Sequence, residues 1–281
     1  MSIKAMGKVQ TYKNLSSYFD KAESFLLENE FTNNLFWEVI RMIRKRGKTT
    51  WAGNVFIKGR IDMSSLLTPS GYLLVSHGSE EAIGRLVNYG KSRNWQLEGV
   101  TGPEEQVLSF SSKWCESITE VSSENPRFMI YNTPYSKFSD HPSENLHPVD
   151  QTSWPRVQTW ATLFANESIP PLSPTALVTM AREMMTKGNL FVMNKEEAGP
   201  CAMGGFGRST PNCQVINMIF VPSELRGNGY AGDLITSLVA EATKRGFSRC
   251  ILFSDFVGDR NLYDRLGFEK IGAFCERKLS Q

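Results

Sequence analysis

The stretch Val221-Pro222-Ser223-Glu224-Leu225-Arg226-Gly227-Asn228-Gly229-Tyr230-Ala231-Gly232 has the residue types and spacing to do chemistry. Gly227 and Gly229 let the backbone turn its N–H groups inward with no Cβ in the way, and the apolar stripe that follows predicts a helix starting near Gly229. The first N–H groups of a helix have no partner within it and sit at the positive end of its dipole. The segment therefore reads as a cradle for an anion such as a pyrophosphate. Each favourable contact of this kind offers about 0.3–2 kcal/mol, enough to position a diphosphate without a lysine cluster. The competing reading is a glycine turn that only starts a helix, and a short glycine pattern leaves both open.

Other chemistries are narrower. All three histidines (His77, His141, His147) and all six tryptophans precede residue 161, so the rest of the chain has no histidine for a Ser-His-Asp triad or a His-ligated metal. The five cysteines (Cys115, Cys201, Cys213, Cys250, Cys275) form no C-x-x-C pair, which argues against a disulfide framework or structural zinc and for buried thiols in a reducing compartment. With 281 residues, 41% hydrophobic and 21% charged, the chain has room for two globular domains. A net charge of +2 lacks the basic excess that nucleic acid would demand. No signal peptide opens the sequence and no stretch approaches 18 apolar residues, so a cytoplasmic protein with neither nucleic acid nor membrane as partner is expected.

The elements around the cradle follow from periodicity. Pro155 and Pro174 each open a helix, the first with Val157, Trp160, Ala161 and Phe164 on one face and the second with Leu177, Met180, Ala181 and Met184. Strands are predicted at Asn189–Met193, Cys201–Gly207 and Gln214–Val221. The helix after the glycines carries Ala231, Leu234, Ile235, Leu238, Val239 and Ala242, and Gly246 ends it. A strand Cys250–Ser254, a short helix around Asp259–Leu266 and a strand Phe268–Lys278 complete the order ααβββαβαβ, which describes a mixed sheet with helices on its faces.

The first half reads similarly. Thr32 is expected to cap a helix bearing Leu35, Phe36, Val39, Ile40 and Ile43, followed by strands Trp51–Lys58 and Tyr72–Ser76. Helices through Glu80–Arg93 and Pro103–Ile118 flank Gly99-Val100, and Phe128–Tyr131 closes the set as a strand. Seven of the thirteen prolines fall between Pro134 and Pro174, which marks a linker. The expected organisation is a domain at 1–134, a linker at 135–144 and a second domain at 145–281.

The order strand, Arg226-x-x-Gly229-x-Ala231, helix, strand ending at Asp255, then Asn261-Leu262-Tyr263-x-x-Leu266-Gly267-Phe268 resembles the GNAT superfamily of acetyl-coenzyme A-dependent N-acetyltransferases. The resemblance covers residues 145–281. It implies an α/β (α+β) fold with a mixed, mostly antiparallel central sheet flanked by helices, with residues 1–134 as a degenerate GNAT-like half. In that half Ser76–Glu81 stands at the loop position without the R-x-x-G pattern, so it is not expected to bind the cofactor.

The resemblance also implies roles. Backbone groups of Ile219, Phe220 and Val221 would pair with the pantetheine arm of acetyl-CoA, and one N–H would polarise the thioester carbonyl. Arg226, Gly227, Asn228, Gly229, Tyr230 and Ala231 would hold the pyrophosphate. Tyr263 would be the general acid that protonates the departing thiolate, and Asn261 would either bond the cofactor or cap its own helix. The family often has a glutamate on the strand before the loop, but this strand carries Asn217 there. Glu224 and Asp255 are the nearby carboxylates, and a water relay is the default for the amine proton. The implied reaction is acetyl transfer from acetyl-CoA to a primary amine without a metal; the alternative is a non-catalytic acyl-CoA-binding protein.

Overall fold

The computed structural model describes residues 7–46, 51–115, 126–134, 143–168, 171–255 and 261–279. The chain divides into two compact units, residues 1–130 with 272–281, and residues 131–271. The division falls at Ile130/Tyr131, earlier than the expected proline-rich linker, and residues 272–281 return to the first unit. Chain order alone does not announce this return, because it rests on strand pairing between residues far apart in sequence.

The first unit contains β1 (Lys8–Thr11), α1 (Leu15–Glu28), α2 (Glu30–Asn33), α3 (Leu35–Arg46), β2 (Ala52–Ile57), β3 (Arg60–Leu67), β4 (Tyr72–Val75), α4 (Glu80–Ser92), β5 (Gly99–Pro103) and α5 (Glu104–Trp114). Strands β1 to β4 pair in antiparallel succession, and β4 pairs with β5 in parallel. On the far side of β5 lies β12 (Glu269–Lys278), antiparallel, with Phe274 opposite Pro103 and Lys278 opposite Gly99. Helices α4 and α5 cover one face through Ile83, Leu86, Val107 and Phe110, all buried. Neither α1 nor β3 is anticipated from the sequence. The helix α1 buries Tyr18, Ala22 and Leu26 at four-residue spacing, and the Asn14 side chain caps it by accepting from Ser17 N at 2.8 Å. Thr32 does not cap α3; it lies in α2 and donates its hydroxyl to Asn29 O.

β6 (Arg127–Pro134) spans the division between the units. The second unit then runs β7 (Leu146–Pro148), α6 (Trp154–Glu167), α7 (Pro174–Thr186), β8 (Leu190–Lys195), β9 (Gly199–Ser209), β10 (Cys213–Phe220), α8 (Tyr230–Lys244), β11 (Arg249–Ser254) and α9 (Leu262–Arg265). β7, β8, β9 and β10 pair antiparallel in that order, and β10 pairs with β11 in parallel. A core of Val157, Trp160, Ala161, Leu177, Ala181 and Met184 from α6 and α7 meets Leu190, Met203, Met218 and Phe220 of the sheet. The stripe of α8 is buried as its spacing predicts, with Leu234, Ile235, Leu238 and Val239 fully inaccessible.

Because α8 must hold its first turn at the end of β10, its packing carries the site as well as the fold. Leu238→Ala leaves a cavity at a position with no solvent access and should destabilise the protein by about 2–5 kcal/mol. Denaturant unfolding checks this; a loss under about 0.5 kcal/mol, the level of an ordinary surface change, would show that α8 is not part of the cooperative core.

Candidate active site

Strand β10 changes direction at Met218. Its backbone has φ +57°, a left-handed value that costs a non-glycine residue about 1–3 kcal/mol and persists only where the surroundings hold it. Here Met218 is buried, and its N–H donates to Asn217 Oδ1 at 2.7 Å. The register with β9 shifts between Asn217 and Phe220, so the strand bulges. The parallel pairing with β11 runs only over Cys213, Gln214 and Val215, although β10 continues to Phe220 and β11 to Ser254. The edge of Asn217, Ile219 and Phe220 that faces away from β9 is thereby left without β11 as a partner. Asn217, standing where a carboxylate was sought, has its side chain occupied by its neighbour's N–H.

At the carboxyl end of β10 the loop winds through a turn of 3-10 helix (Ser223–Leu225) to Gly227 and Gly229, whose φ values of +85° and +82° only glycine adopts without strain. A Cβ at either position would meet nothing within 4 Å, so the loop faces open space. Gly229 is the N-cap of α8 and offers no side-chain cap. Its carbonyl takes the N–H groups of Gly232 and Asp233, and among the described residues those of Gly227 through Ala231 have no protein acceptor. Arg226 is turned to bracing: its guanidinium pairs with Glu167 at the end of α6, donates to Val221 O at 2.9 Å and lies 5.7 Å from the Phe220 ring centroid. The Asn228 amide donates to Leu225 O at 3.0 Å and tightens the same turn.

Beyond β11, the parallel neighbour of β10, stands α9. Asn261 caps it in a reciprocal box, accepting from Asp264 N at 2.9 Å while Asp264 accepts from Asn261 N. The Asn261 amide donates to Tyr131 Oη at 2.6 Å, so the side chain serves its own helix and Tyr131. The Tyr263 ring lies 5.5 Å from that of Tyr131 and 6.1 Å from that of Phe268. Burial first, then the charge of Asp255 and the neighbouring Tyr131, push the Tyr263 phenol up to about 12, so it keeps its proton at neutral pH. Asp255 and Glu224 are exposed, and Cys213 and Cys250 are core residues. Residues 256–260 of the predicted Asp259–Leu266 helix lie outside the described residues. Tyr131 and Glu167 escape sequence reasoning, since each acts on a partner distant in the chain. The open loop and α9 thus sit at the carboxyl ends of adjacent parallel strands, where open α/β sheets bind ligands.

The first unit repeats the strand-helix-strand order but closes it. β4 and β5 pair in parallel over Tyr72–Leu74, and Gly102 then approaches so closely that a Cβ there would lie 2.4 Å from Val75 O. The N-terminus of α4 is capped by a side chain: Ser79 Oγ accepts from Ala82 N, while Asp62 Oδ2 accepts from Ser79 N at 2.8 Å and from Ser79 Oγ at 2.6 Å. Glu80 and Glu81 add negative charge in the first turn. An internal carboxylate thus stands where an anion would dock.

Among the described residues no group of three or more His, Cys, Asp or Glu side chains is placed to hold a metal, and no helix is long and apolar enough to cross a membrane. Residues 170–280 match the family model described as an acetyltransferase (GNAT) domain. No curated protein matches the sequence. Among solved structures, a GCN5-related N-acetyltransferase from Sphaerobacter thermophilus aligns over 100% of this chain and 98% of its own at a TM-score of 0.61 and 14% identity. A GNAT-family acetyltransferase from Colwellia psychrerythraea aligns over 97% of this chain and 100% of its own, with a TM-score of 0.54 and 15% identity. A tandem GNAT protein from the clavulanic acid biosynthesis pathway aligns over 98% and 99%, with a TM-score of 0.55 and 10% identity. At these identities the likeness is one of fold, and it extends over both units. Residues 170–280 therefore carry a GNAT acetyltransferase domain, and the fold of the chain around it is the one these structures share.

Proposed function

We propose that the chain transfers an acetyl group from acetyl-CoA to a primary amine by direct attack, at one cofactor site in residues 145–281. The observation that carries this reading is the parting of β10 from β11 beside an uncapped α8 N-terminus, with a protonated phenol on α9. The pantetheine arm lies along Ile219, Phe220 and Val221 as a substitute strand. The diphosphate takes the backbone N–H groups of Gly227, Asn228, Gly229, Tyr230 and Ala231. Arg226 acts through the loop it braces. Asn261 acts by placing α9.

The step balances without a metal. The amine nitrogen attacks the thioester carbonyl carbon, and a backbone N–H among residues 219–221 receives the charge developing on oxygen. The carbon–sulfur bond then breaks, the thiolate takes the Tyr263 proton, and the amine proton leaves to water. An alkylamine is neutral in about one part in a thousand at pH 7.4, a cost of roughly 4 kcal/mol, and with Asn217 occupied by Met218 no carboxylate on β10 removes it. A location in the cytoplasm and independence of nucleic acid and membranes belong to the same proposal. The occupied Asn217 also favours a second reading, an acyl-CoA-binding protein without turnover. It predicts a thermal shift with acetyl-CoA but no free thiol across an amine panel.

Tyr263→Phe should lower kcat about 100-fold and leave the Kd for coenzyme A unchanged; full turnover would remove Tyr263 from the acid role. Since burial raises the phenol, the neutral form favours the fold below pH 10, and that contribution is lost as pH rises from 10 to about 12. Turnover should therefore climb with pH as the amine loses its proton and show no fall assignable to Tyr263 below pH 10; a fall with a midpoint near 9 that vanishes in Tyr263→Phe would contradict the assignment.

Gly229→Ala forces a Cβ onto a left-handed residue and should weaken coenzyme A binding about tenfold. Calorimetry should also find one coenzyme A per chain. Two equivalents would place a working site in the first unit.

A further inference from the structure

The Asn261 box closes α9 on itself but does not by itself fix the helix to the rest of the unit. A helix of four residues has no stability of its own, so its orientation depends on what its ends touch. At its C-terminal end Gly267 N donates to Asp264 O and Phe268 N to Tyr263 O, local bonds that shape the exit into β12. At its N-terminal end the long-range polar tie among the described residues is the Asn261 amide donating to Tyr131 Oη. Asn261 and Tyr131 are 6% and 3% exposed, so this bond is shielded from water. Tyr131 sits on β6 between the buried Ile130 and Asn132.

We propose that Tyr131 is a positioning residue for the acetyl transfer: its hydroxyl holds Asn261, and through that cap it sets α9 so that Tyr263 presents its own hydroxyl to the departing thiolate. The proposal rests on the reading of Tyr263 as proton donor and adds the group that aims it. Packing alone does not require the hydroxyl, because a phenylalanine would fill the same space against the Tyr263 ring. What phenylalanine cannot do is accept the Asn261 N–H, which would then be buried without a partner. Because Tyr131 accepts that bond, its own O–H remains available to a further acceptor.

The test is a double-mutant cycle of Tyr131→Phe and Tyr263→Phe, read as kcat, as coenzyme A affinity by calorimetry, and as melting temperature. Tyr131→Phe should lower kcat about tenfold with unchanged coenzyme A affinity, and should have no further effect in the Tyr263→Phe background. An equal fall in both backgrounds, or none in the native one, would overturn the proposal and leave Tyr131 a core residue. Full turnover in Tyr263→Phe alone would instead remove the acid reading, and this proposal with it. If Tyr131→Phe does not fold, Asn261→Ser serves, since serine still caps α9 but is too short for Tyr131. It should reproduce the tenfold loss and the absence of any effect without Tyr263; a serine variant with native kcat would overturn the proposal.

Discussion

The bulge at Met218 is the constraint on which the rest of the site depends. A strand that continued regularly past Val215 would go on exchanging hydrogen bonds with β11, and its polar edge would be spent inside the sheet. The left-handed residue, held by burial of its side chain and by Asn217 Oδ1, turns β10 away and leaves that edge available. The cost of the strained backbone is offset by the packing around it, since Met218 and Phe220 both lie in the core with Trp160, Leu177 and Met203. The same bend delivers the chain to Gly227 and Gly229, where the α8 N–H groups open outward.

The two units show how little separates a binding frame from a closed one. Both contain parallel strands joined by a helix, and in both the parallel register covers three residues. In one, Gly229 leaves the helix end bare. In the other, Ser79 caps the helix and Asp62 holds Ser79, two glutamates follow, and Gly102 lets the strands stay together against Val75. Backbone N–H groups at a helix start donate to a suitable anion, and a carboxylate beside the cap, as Asp62 is beside Ser79, repels one.

Much of this frame was legible in the sequence because it rests on local rules. The stripe from Leu234 to Ala242, the proline starts of α6 and α7, and the glycine pair each have short-range causes, and each lies where its spacing placed it. The failures have physical causes too. β3 hides because Ser64 and Ser65 are fully buried polar residues that break the apolar alternation; Ser64 is satisfied by Tyr18, Asn54 and Ser76, residues far away in the chain. The Met218 bulge is invisible because nothing in the residue type favours a left-handed backbone. The Asn261–Tyr131 bond joins residues 130 positions apart, beyond the reach of any periodicity.

The central claim is that coenzyme A completes the parted sheet edge of one unit and sits on the bare start of α8. Amide hydrogen exchange with and without coenzyme A tests this directly, because the groups proposed to hold the diphosphate are the backbone N–H groups of Gly227 through Ala231, which have no protein acceptor among the described residues. Slowed exchange is expected at residues 219–221 and 227–231, with residues 76–82 of the first unit unchanged. Protection centred on residues 76–82, or its absence from the glycine loop at saturating coenzyme A, would contradict it.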